Sequence, residues 1–87
     1  MSLEVQQVEW KMLVPHAARG GLFLLEGSQD LMSVAEAVAA DDAARVRGLI
    51  ESGALARPTD EQLGMDDDTA FRFVIVQPFV IAQGPLA

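Results

Sequence analysis

Phe71-Arg72-Phe73-Val74-Ile75-Val76-Gln77-Pro78-Phe79-Val80-Ile81-Ala82-Gln83 is the stretch on which the reading of this chain turns. It is dense in aromatic and β-branched residues and contains no turn dipeptide, so it predicts one long strand bent at Pro78. Period two sets Phe71, Phe73, Ile75, Phe79 and Ile81 on one face and Val74, Val76, Val80 and Ala82 on the other. A strand apolar on both sides needs cover on both sides. The chain's own helices are expected to supply one cover. The second, and protection for a bare edge, are expected from pairing with another copy of the chain.

Upstream, residues 4–18 place Val5, Val8, Met12 and Leu13 at mostly helical spacing, with Trp10 and Val14 nearby. Pro15 interrupts the pattern, which predicts a helix that is short or kinked, stopped by Gly20-Gly21. Leu22–Leu25 is an apolar run suited to a buried strand. The clearest helix covers residues 30–40, with Leu31, Val34, Ala35 and Val38 on one stripe and Asp30 placed to cap its start. A second helix begins at Asp41 or Asp42, turns Val46, Leu49 and Ile50 inward, and ends before Gly53. The two form an αα-hairpin or corner. The Leu55 region is a candidate short strand, and Thr59-Asp60-Glu61-Gln62 has the spacing of a capping box. The predicted fold class is α+β, with two to three short helices packed on a small, mainly antiparallel sheet that ends in a long C-terminal strand. With no repeat or linker visible, residues 1–87 read as a single domain.

Composition narrows the function classes. The chain is 51% hydrophobic and only 22% charged, more apolar than a domain of 87 residues readily hides, which favours a homo-oligomer, most simply a dimer. Thirteen acidic residues against six basic ones leave a net charge of −7, which argues against nucleic acid and anionic membrane surfaces as partners. Cysteine is absent, which excludes disulfides, thiolate catalysis and sulfur-based zinc sites. The first residues, with Glu4 and Glu9, do not read as a secretory signal, and the apolar runs at 73–76 and 79–82 are far shorter than the roughly 20 residues of a membrane span. A cytoplasmic location is expected.

Several segments in order resemble a small bacterial family, domain of unknown function twenty-two eighty-eight. They are Glu9-Trp10-Lys11-Met12-Leu13, Pro15-His16-Ala17-Ala18-Arg19-Gly20, Asp30-Leu31-Met32-Ser33-Val34-Ala35, Asp41-Asp42, Gly53 and Val76-Gln77-Pro78-Phe79-Val80. The resemblance covers nearly the whole chain. In that family the positions of Leu49 and Phe79 are often tryptophan, and both replacements keep hydrophobic bulk. The resemblance implies an uncharacterised protein and transfers no catalytic residues.

Candidate sites are few. Asp41-Asp42 and Asp66-Asp67-Asp68 lack the alternation, glycine and closing glutamate of a calcium loop, and read as a helix cap and a solvated loop. Arg45 and Arg47 sit among Asp41, Asp42 and Glu51 and predict local ion pairs. His16 has no cysteine partner and no visible triad, so it reads as a helix-end residue. No catalytic, cofactor or metal residue is assigned. The leading expectation is a non-enzymatic interaction or assembly module that self-associates through its C-terminal strand, with Phe79, Val80 and Ile81 in the contact. The alternative is a small enzyme or ligand-binding protein whose polar site, near His16 and Arg19, forms across a dimer.

Overall fold

The computed structural model describes residues 3–86. Along them the chain runs β1 (Gln6–Glu9), α1 (Trp10–Ala18), β2 (Leu22–Leu25), α2 (Leu31–Ala39), α3 (Ala43–Glu51), β3 (Leu55–Ala56), α4 (Asp60–Leu63), β4 (Ala70–Val76) and β5 (Phe79–Gln83). The strands form one sheet in the order β1-β4-β5-β2-β3. β2 runs parallel to β5, and the other three pairings are antiparallel. The fold is α+β, with four helices on a mixed sheet among the described residues.

The decisive stretch is two strands, not one. Gln77 and Pro78, joined by a cis peptide bond, make a tight turn that sets Val76 opposite Phe79 and Val74 opposite Ile81. Length explains the difference. Thirteen extended residues would span about 43 Å at roughly 3.3 Å each, whereas the molecule's longest dimension is 33 Å. Folding back lets the two halves satisfy each other's backbone groups, and Pro78 sits where the ladder needs no amide.

The other departure is at the start. Gln6–Glu9 is an edge strand on β4, with Val8 opposite Phe71, and the helix begins only at Trp10. Over four residues the spacing of Val5 and Val8 does not distinguish helix from strand, and the unpaired edge of β4 decides the matter. α1 then carries Pro15 inside nine helical residues. Its first amides are taken by the loop that the aspartate triplet builds. The Trp10 amide donates to the Thr69 carbonyl at 2.7 Å and that of Lys11 to the Asp67 carbonyl at 3.0 Å.

Both faces of the sheet are covered from within the chain. α2 and α3 lie over Val74, Val76, Ile81, Leu25 and Leu55, together with the buried Leu31, Val34, Ala35 and Leu49. α1 covers the opposite face, where Trp10 and Leu13 pack with Leu22, Phe71, Val80 and Ala82. Trp10 is fully buried, its ring centroid 5.0 Å from that of Phe71. Its indole N–H has no acceptor, a cost of about 1–3 kcal/mol. Burial of the ring, about 4–6 kcal/mol at 25 cal/mol per Å², outweighs it.

Local signals set the connections. Asp30 accepts the Ser33 amide at 3.1 Å, and Asp42 accepts that of Arg45 at 3.2 Å. Thr59 and Gln62 form the complete reciprocal capping box. Asp41 is the residue just past α2, in the left-handed region at φ 58°; its amide bonds the Val38 carbonyl and that of Asp42 bonds Ala37. The buried Gln83 side chain donates to the carbonyls of Glu26 and Gln29 at 2.9 and 2.7 Å, tying the end of β5 to the loop that launches α2.

Two substitutions test these points in urea denaturation. A Cβ at Gly84 would stand 2.8 Å from Phe71 Cδ2 and 3.2 Å from the Ala70 carbonyl oxygen. Gly84→Ala is therefore expected to cost about 1–3 kcal/mol. Asp41→Gly relieves a side chain from the left-handed region and is expected to raise stability by up to about 1 kcal/mol.

Candidate functional site

The cover leaves one end of the sheet open. Phe79, first residue of β5, is 38% exposed and Ile50 on α3 is 52% exposed. They share a hollow with the half-buried Val38, Val46 and Phe23, lined below by Leu55 and Ile81. The inner recess is about 180 Å³ and wholly apolar in its lining residues. An outer basin of about 420 Å³ adds Asp41, Asp42, Ala43 and Arg47 at its rim. α3 presents Ala43, Arg47 and Ile50 at i, i+4 and i+7, a single helical face. Ile50 thus opens into the hollow instead of joining Leu49 in the core.

Phe79 is held by neighbours that lie far away in sequence. Its ring meets Phe23 edge-on at 5.6 Å between centroids, and the Arg57 guanidinium lies 5.8 Å from the Phe23 ring centre. The parallel register of β2 and β5, Phe23 beside Ile81, brings the two aromatics together. Arg45 does not form the predicted local ion pair. Its guanidinium donates to Ser33 Oγ at 2.8 Å and links α3 to α2. The one ion pair within 4.0 Å among the described residues is the exposed Lys11–Glu9 contact at 3.7 Å.

Of the expected contact residues, only Phe79 reaches solvent. Val80 is 4% and Ile81 1% exposed; they close the α1 core and the α2–α3 core respectively. β5 is paired on both sides, with β4 and β2, so it has no free edge. His16 and Arg19 lie in and just after the last turn of α1, and both line a cleft of about 220 Å³ whose far wall is Ile75, Gln77 and Phe79.

Missed in the sequence were Phe23, Val38 and Ile50. The two helix positions were marked as apolar by their spacing, but spacing alone does not show that the cover ends beside them. Phe23 carried no signal, since only the parallel pairing of β2 with β5 sets it beside Phe79.

These features define a small α+β protein with helices on both faces of a mixed five-stranded sheet and an apolar hollow at one end. The chain belongs to the family described as Protein of unknown function (DUF2288), which matches residues 1–84. It is similar to PA1075 from Pseudomonas aeruginosa, a structure solved by NMR in solution, with 30% sequence identity and a TM-score of 0.86 over 97% of this chain and 80% of that one. No curated protein matches the sequence.

The division between core and surface in β5 can be measured by chemical denaturation. Ile81→Ala is expected to cost about 2–5 kcal/mol, and Phe79→Ala less than half as much because its ring is already partly in water.

Proposed function

We propose that this protein is a non-enzymatic interaction module that self-associates through the hollow around Phe79, face to face and not by strand addition. The observation that carries the reading is the pairing of two exposed large apolar side chains, Phe79 and Ile50, with a concave apolar recess beside them. A two-fold contact brings a patch against itself, so it needs a projecting group and a hollow on the same surface. Phe79 and the recess are such a pair, and a desolvated aromatic ring in a pocket is the usual energetic centre of an interface.

The rim supports a second copy as the partner. Asp41, Asp42 and Arg47 border the basin, and none of them forms an ion pair among the described residues. A two-fold contact centred on the basin brings its rim, with Arg47 and the two aspartates, against the same rim of the other copy, where pairing of opposite charges opposes the repulsion between two chains of charge −7. A stable interface takes about 800 Å² from each partner, so the contact extends past the hollow along the exposed face of α3. Ala43 and Ala44 leave that face low.

Sedimentation of the purified protein tests the reading. A dimer at micromolar concentration is expected, with Phe79→Asp or Ile50→Asp shifting it to monomer while the circular dichroism spectrum is retained. A wild-type monomer under the same conditions overturns it.

A further inference from the structure

We infer that the cleft at the carbonyl end of α1 binds a monocarboxylate with a short apolar body. The inference does not rest on the assembly reading, because His16 and Arg19, which carry it, stand outside the hollow proposed as the contact.

Three features of the cleft favour that ligand. First, His16 and Arg19, three residues apart, stand on one side of the helix end and bring a guanidinium and an imidazole to the same wall. A planar guanidinium matches a carboxylate with two parallel hydrogen bonds. Second, none of the 13 acidic residues lines the cleft, and Arg19 has no ion pair among the described residues, so its charge is uncommitted. The chain's overall negative charge is screened beyond about 8 Å at physiological salt. Third, the opposite wall is apolar and accessible. Ile75, which shares the α1 face of the sheet, is 46% exposed, with Pro78 and the Gln77 amide beside it at the turn, the latter a further donor.

The end of a helix normally repels an anion. Here the carbonyls of Pro15, His16 and Ala17 are already occupied by the amides of Arg19, Gly21 and Gly20, at 3.3, 3.0 and 3.0 Å. The negative pole is therefore largely answered from within the chain. The floor is tied to the sheet as well. Gly21, in the turn after α1, receives the Val80 amide on its carbonyl at 2.9 Å, which fixes the helix end against β5. Free carboxylates fit the geometry better than phosphate, since phosphate would set its larger charge and further oxygens against an apolar wall.

The test is an NMR titration of the isotope-labelled full chain with benzoate, benzyl alcohol and inorganic phosphate. Benzoate is expected to move the amide resonances of Gly21 and Gln77 and the ring resonances of His16, saturating at millimolar concentration, with the alcohol and phosphate weaker. Arg19→Ala, an exposed position, is expected to weaken benzoate binding about tenfold or more. Arg47→Ala, on the other side of Phe79, is expected to leave it unchanged. The inference is overturned if benzoate moves none of these resonances, if Arg19→Ala binds it as the parent does, or if benzyl alcohol binds as tightly. Sedimentation of the same samples reports assembly separately, so failure here and failure of the self-association reading are distinguishable.

Discussion

Burial of the β4–β5 hairpin on both of its faces is the constraint from which the architecture follows. In the centre of the sheet Val80 and Ala82 enter one core and Ile81 the other, with Phe71 and Val74 doing the same on β4. A sheet greasy on both sides is stable in water only between two layers. The chain has too few residues for two large layers, and it solves the problem with one short helix on one face and a helical corner on the other. Everything else in the fold is arranged to bring those helices to the sheet.

The devices that do so are local. Asp30 starts α2 on the correct face, and the left-handed residue Asp41 turns the chain within one residue so that Asp42 starts α3 against the same surface. The Gln83 side chain closes the circuit by holding the loop before α2 to the last strand, across more than fifty residues of sequence. On the other side, the carbonyls of the 66–69 loop take the first amides of α1, so the aspartate triplet serves the helix start through its backbone.

Small helices cannot reach every part of the hairpin, and the uncovered remainder lies at the turn. Phe79 and Ile75 are exposed there on opposite faces, which is why the proposed contact surface and the proposed ligand cleft lie on either side of the turn. The two differ in chemistry. One is an apolar recess with mixed charge at its rim, suited to a protein surface; the other pairs an uncommitted cation with an apolar wall, suited to a small anion.

The helices α2, α3 and α4, their caps and Gly53 past the end of α3 are legible in the sequence, because each is specified by contacts between residues a few positions apart, and β2 and β3 are legible as short apolar runs between turns. So is the need for cover on both sides of residues 71–83, since alternation displays it directly. The hairpin at Gln77-Pro78 and the strand at Gln6–Glu9 were decided by tertiary structure. The dipeptide is not a usual hairpin turn, and four residues carry too little periodicity to separate strand from helix. The same holds for the site. His16 and Arg19 are neighbours on one helix and could be grouped from the sequence, whereas the hollow needs Phe23, Val38 and Ile50 placed around Phe79. A one-dimensional pattern records which residues seek burial; which of them run out of cover depends on how far each helix reaches over the sheet, and that is a property of the packed molecule alone.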